Sequence, residues 1–146
     1  MINRILIRIR VIQIVYAWYQ NQNKDLKQVE NELLLGLQKS YDLYYFLLLL
    51  MIEVTDLYEK RVNTKMNKFL PSHEDLNPKM HLLNNQFVNQ LRNNKMFIRY
   101  LTERPMLWDS HSTFIRNILD TILESEIYAE YVGLEKPTYE EDKEFW

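Results

Sequence analysis

The sequence predicts an all-α protein, a helical bundle of about five or six helices. Gly occurs twice and Pro four times in the 146 residues. Average usage gives about ten and seven in that length, and so few breakers favour long uninterrupted elements. Apolar residues recur at helical spacing through most of the chain. The one stretch with strand character has no second good strand to pair with, and a lone strand is unstable. A chain of this length buries roughly 70% of its unfolded surface, enough for a core without disulfide or metal staples.

The first element is expected over residues 3–20. Ile7-Arg8-Ile9-Arg10-Val11 alternates as a strand does, but Ile5, Ile9, Ile12 and Tyr16 share one helical face. That face, Tyr16 included, is the expected core side; Arg10, Gln13, Ala17 and Gln20 share another face. Asn21 to Lys24 is a polar break, after which Asp25 and Gln28 have capping-box spacing. Val29, Leu33, Leu37, Tyr41, Tyr44, Leu48, Met51, Thr55 and Tyr58 continue a helical pattern towards Leu70. This is one very long helix, or two joined at Gly36 or Ser40, ended by Pro71 and followed by a loop over Ser72–Asn77.

Pro78 suits the first position of a helix capped by Asn77 and running to about Arg104, with Leu83, Phe87, Leu91, Ile98 and Leu101 on one side. Asn85, Arg92, Lys95 and Arg99 line the other side. Pro105 stops it. The Asp109–Ser112 cluster then offers caps for a helix to about Tyr131, with Gly133 as its stop. Thr138 and Glu141 form a capping-box pattern, so a last helix begins near Tyr139. It reaches Trp146 after barely two turns, and helices so short are marginal alone. The natural chain is therefore expected to continue. Residues 1–70 and 77–146 are expected to form two helical regions packed together.

Composition narrows the function. There is no Cys, so disulfides and thiolate zinc sites are excluded and a cytoplasmic setting fits. The longest apolar run, Leu43–Ile52, is half of what a membrane span needs, and no signal-peptide pattern opens the chain. Net charge is −2 but unevenly spread: +4 over residues 1–24, +6 over 60–104 and −7 over 120–146. Such asymmetry suits a polyanion on one face, and it equally suits ordinary solvated helix faces.

No catalytic, cofactor or metal set is expected. The glycines stand alone at 36 and 133, so there is no phosphate loop. His73 and His81 bracket a loop with Glu74 and Asp75 between them, without the paired spacing of metal-binding histidines. Asp109, Ser110 and His111 are adjacent, which triad geometry does not allow, and capping accounts for them. The chain is thus read as a binding protein and not an enzyme. Arg4, Arg8 and Arg10 lie in a segment without acids, and their guanidinium forks suit phosphate. Tyr16, Trp18 and Tyr19 follow and could stack on unpaired bases. Arg92, Lys95 and Arg99 form a second basic stripe at i, i+3, i+7, for which water is the first-ranked neighbour, ahead of phosphate or another helix.

The order of these residues resembles a known family. Arg4 and Arg8 followed by Gln13-Ile14-Val15-Tyr16 resemble the opening of the NusB family, an arginine-rich helix leading into a Gln-Ala-Leu-Tyr-like motif. Ser40-Tyr41-Asp42-Leu43-Tyr44-Tyr45-Phe46 and the following leucines look like the N-terminal half of its long-form members, which carries additional helices. Phe114-Ile115-Arg116 and Asp142-Lys143-Glu144-Phe145-Trp146 also look like that form. The resemblance implies a transcription antitermination factor. With a NusE-type ribosomal protein, it would hold boxA-type single-stranded RNA in the transcription complex.

Arg4 and Arg8 match the family's RNA-contacting positions; Arg10 is added from charge and proximity alone. Ile9 departs from the Glu the family often has there, and the family's C-terminal Ile-Asn-Glu-Ala-like and Phe-x-Asn-Gly-like stretches are missing. Two other readings stand beside this one. The second is a helical protein-interaction or homodimerisation module without RNA, and the third a helical accessory domain of an RNA-modifying enzyme, which would need a catalytic domain beyond Trp146.

Overall fold

The computed structural model describes residues 4–21 and 25–146. The fold is all-α, as the sequence predicts, and no strand occurs among the described residues. In chain order the helices are α1 Arg4–Gln20, α2 Leu26–Met66, α3 His73–Leu76, α4 His81–Asn84 and α5 Gln86–Asn93. They continue with α6 Lys95–Glu103, a 3-10 turn at Asp109–His111, α7 Ser112–Glu124, α8 Glu126–Gly133 and α9 Tyr139–Phe145. The chain divides into two compact units, Met1–Phe46 and Leu47–Trp146, with the division inside α2.

α2 is one helix of 41 residues. Neither Gly36 nor Ser40 interrupts it. A lone Gly costs a helix only about 1 kcal/mol, which the surrounding leucines and long side chains outweigh. Ser40 Oγ donates back to the Gly36 carbonyl at 3.0 Å, so its hydroxyl is satisfied within the helix. α2 stops at Met66, short of the expected Leu70. There the Asn67 side chain donates to the Asn63 carbonyl at 2.9 Å and takes over the terminus. The segment expected as a loop holds α3, a single turn closed by a capping box between Ser72 and Asp75.

There are more helices than the five or six expected, because polar residues expected inside helices act as caps. The helix expected over 77–104 is three helices. Asn85, expected on its polar side, breaks the chain and accepts from Val88 N–H at 3.1 Å to start α5. Asn94 accepts from Met96 and Phe97 N–H at 3.0 and 3.1 Å to start α6. Ser125 likewise divides the helix expected to reach Tyr131, accepting from Tyr128 N–H at 3.1 Å. Short side-chain amides and hydroxyls compete with the backbone for its own partners, and here they win. The Thr138–Glu141 capping box is present as expected.

In the Leu47–Trp146 unit the core gathers Val54, Tyr58 and Val62 of α2 with Leu82, Val88, Leu91, Phe97, Trp108, Ile115 and Leu119. Tyr58 Oη donates to the Lys79 carbonyl at 2.7 Å, fixing the loop before α4. Arg61 pairs with Asp120 of α7 at 2.5 Å, and Arg92 of α5 pairs with Asp56 of α2. Both pairs are partly exposed, so they orient helices more than they stabilise them.

A buried polar knot closes this unit. The Asn85 amide is fully buried and donates to Tyr131 Oη and to the Asp142 carbonyl, each at 3.0 Å. Tyr131 Oη donates to the Asp142 carboxylate at 2.5 Å, whose other oxygen accepts from Gln86 N–H at 2.9 Å. Phe145 stacks on the Tyr131 ring with centroids 4.3 Å apart. Burial, and then the bond to Asp142, push the Tyr131 phenol well above its ordinary range.

Removing Asn85 strands several of these groups in the interior. Asn85→Ala is expected to cost about 3 kcal/mol, because buried partners left unsatisfied lose their full desolvation cost. Thermal melting followed by circular dichroism should show a midpoint roughly 6–12 °C lower. Asn94→Ala, which removes an exposed cap alone, should cost about 1 kcal/mol.

Candidate functional site

The Met1–Phe46 unit carries Arg4, Arg8 and Arg10. Of the large apolar side chains in this unit, Val29 is buried, and α1 has no buried residue at all. α1 meets α2 where Arg10 lies over Gly36. A Cβ on Gly36 would stand 3.1 Å from both Nε and Nη2 of Arg10. The residues of α1 that are half-buried are Ile7 and Ile14, which share with Arg10 the side turned to α2.

This reverses the face expected from sequence. Ile5, Ile9, Ile12 and Tyr16 were expected in the core, yet each is between 47% and 68% exposed. At about 100° per residue, this stripe lies nearly opposite the Arg10 side of the helix. The reason is that α1 is apolar nearly all round, so its sequence does not choose which side is buried. Tyr16 remains outside, its Oη accepting from Gln20 Nε2 at 2.9 Å. Trp18 and Tyr19 are exposed as well.

Arg4, Arg8 and Arg10 are all exposed on α1. The helix brings Arg4 and Arg8 together, four residues apart on one side. Arg10 points about 160° away from Arg8. It is occupied with Gly36 and with Gln13, whose Oε1 accepts from Nη1 at 3.4 Å. Lys24, counted in the basic N-terminal segment, lies outside the described residues.

The second stripe does not form. Asn94 ends α5 and caps α6, so Arg92 lies on one helix and Lys95 and Arg99 on the next. Arg92 is partly buried against Asp56, and Arg99 Nε donates to Glu103 at 2.7 Å. The i, i+3, i+7 spacing assumed an unbroken helix, and the Asn94 cap removes that premise.

The histidines are likewise apart in their bonding. His73 Nε2 lies 3.4 Å from the Asn77 amide, His81 Nε2 lies 2.7 Å from the Leu134 carbonyl, and the His111 ring packs edgewise on Trp108. Among the described residues no three His, Cys, Asp or Glu side chains are grouped to hold a metal ion. The cleft between the end of α2 and α3 is lined by Arg61, Lys65, His73, Glu74 and Asp75. Asp75 is held below the usual carboxylate range by the Ser72 N–H and then by Lys68, which is the chemistry of a capped turn.

Sequence reasoning missed the Asn85–Tyr131–Asp142 knot and the outward apolar stripe. No periodicity marks the first, since its members are the cap between α4 and α5 and one residue each of α8 and α9. The second was visible as a stripe, but not as a stripe facing out. No helix among the described residues is long and apolar enough to cross a membrane. The chain matches no protein-family model, no curated protein and no solved structure.

The Arg10–Gly36 contact can be tested. Gly36→Ala should raise stability by up to about 1 kcal/mol, because helix propensity improves and the flexible Arg10 tip can give way. A lower melting midpoint would mean that Arg10 is held firmly against Gly36.

Proposed function

We propose that this chain is an RNA- and protein-binding factor in transcription antitermination, similar to the N-terminal half of a long-form NusB-like protein. In this reading it works in the cytoplasm and holds boxA-type single-stranded RNA together with a NusE-type ribosomal protein in the transcription complex. The observation that carries the reading is α1: a helix without acids that exposes Arg4 and Arg8 side by side. Their guanidinium groups would contact backbone phosphates. Tyr19, on the same side of the helix by its spacing and exposed, offers a ring on which an unpaired base could stack. Arg10, turned towards Gly36, has the lesser part.

Fluorescence anisotropy of a short boxA-like RNA, against a scrambled RNA of equal length, tests this at two salt concentrations with and without the NusE-type partner. Preferential, salt-sensitive binding is expected. Arg4→Ala with Arg8→Ala should weaken binding and flatten its salt dependence by roughly 0.7 per lost phosphate contact. The unfolding transition should stay unchanged, since both residues are exposed. Equal affinity of wild type and double variant would remove the role assigned to the two arginines.

A second reading is a helical protein-interaction module without an RNA role. The outward stripe Ile5, Ile9, Ile12 and Tyr16 favours it. Heparin should then fail to compete with the protein partner, because apolar contacts would dominate the docking.

A further inference from the structure

We infer that the cleft between α2 and the Trp108–Arg116 stretch binds a short zwitterion, a dipeptide with its ammonium at the acidic end and its carboxylate at the basic end. The inference goes beyond RNA binding and rests on other residues. The whole cleft belongs to the Leu47–Trp146 unit, and its volume is about 220 Å³. That is below the range of pockets for drug-sized ligands, so the occupant is small.

The two walls run in the same direction. At one end Glu53 of α2 and Asp109 of the 3-10 turn line the cleft together. Burial raises the Glu53 carboxyl, and the Asp56 and Asp109 charges then raise it further. About two turns on, Arg61 of α2 pairs with Asp120 of α7 at 2.5 Å. Lys60 comes just before Arg61. The Asp120 carboxyl is held low first by its bond to Arg61 and more weakly by the Arg116 charge, which places Arg116 beside that pair. Glu53 and Asp109 therefore stand at one end of the cleft, with Lys60 and Arg116 at the other. Asp56 is taken by Arg92 and Asp120 by Arg61, so one end keeps a negative balance and the other a positive one.

Among the described residues none of Glu53, Lys60, Asp109 and Arg116 is in an ion pair. Distance is the reason. Seven residues of α2 separate Glu53 from Lys60, about 10 Å of helix axis, whereas an ion pair needs about 4 Å. A molecule carrying both charges can span that gap. A charge-assisted hydrogen bond of about 2.8 Å at each end leaves about 5 Å between the ligand's own charges. A free amino acid holds them about 2.5 Å apart and an extended tripeptide about 9 Å; a dipeptide, at about 6 Å, is the near match. A simple anion or a simple cation would meet like charge at one end. The floor is apolar, formed by Leu57 with the buried Trp108 and Ile115, and suits an apolar side chain on the dipeptide.

Calorimetric titration of the whole chain with glycyl-leucine, backed by saturation-transfer NMR, tests this. Saturable but weak binding is expected, since Lys60, Asp109 and Arg116 are exposed. N-acetyl-glycyl-leucine and glycyl-leucine amide should each bind on the order of fivefold more weakly. Free leucine and glycyl-glycyl-leucine should also fall below the dipeptide. Glu53→Gln with Asp109→Asn should abolish the preference for a free ammonium and keep that for a free carboxylate. Lys60→Gln with Arg116→Gln should do the reverse. Both variants should keep the helical circular dichroism, because these side chains make no ion pair.

Failure of glycyl-leucine to saturate the chain overturns the inference. So does equal affinity for the dipeptide and its two capped forms, or a preference that both variants leave untouched. Arg4 and Arg8 are intact in both variants, so RNA affinity reports on the antitermination reading separately.

Discussion

Asp142 is the carboxylate on which the Leu47–Trp146 unit closes. It accepts from the Tyr131 hydroxyl and from the Gln86 backbone, while its own carbonyl accepts from Asn85. Those three bonds join the start of α5 to the end of α8 and the body of α9, which lie far from it in the chain. α9 is seven residues long and would not hold as an isolated helix. The knot and the Phe145 stack hold it in place. A buried carboxylate is tolerable because its lone pairs are met by donors of fixed position.

The same device, a short polar side chain satisfying backbone groups, shapes the region from α4 to α8. Asn85, Asn94 and Ser125 each end one helix and begin another, turning the chain so that Val88, Leu91, Phe97, Ile115 and Leu119 reach one core. Unbroken helices over the same residues would carry some of those side chains away from it. α2 does the opposite and has no cap within it. Its Leu47–Met66 part supplies Val54, Tyr58 and Val62 to that core and orienting contacts to Lys79, Arg92 and Asp120.

The Met1–Phe46 unit follows a different rule. Its helices are apolar, yet among their large side chains Val29 alone is buried. Covering surface of this kind is favourable, because it releases ordered water without new directional bonds. The arginines set the character of that surface. Arg4 and Arg8 stand beside the apolar stripe and give it positive charge, while Arg10 sits over Gly36 at the approach to α2. The arginines and the apolar stripe are different residues of one helix, so each can be substituted without the other.

The sequence by itself determined the helical class, α1 as a helix, the apolar spacing of α2 and the capping box that opens α9; whether α2 breaks at Gly36 or Ser40 it left open. Each of these rests on local forces: few breakers, apolar spacing, and a cap within three residues of its partner. It also marked Arg4 and Arg8 as neighbours, since four residues return to one side of a helix. Only the tertiary structure decided which side of α1 faces out, because a helix apolar all round has no preferred side until a neighbour is present. It also decided that Asn85, Asn94 and Ser125 end helices. A polar residue on a helix face and a polar residue at a cap look alike until the core on either side fixes where the chain must turn. Arg92, Lys95 and Arg99 lost their common stripe at such a turn.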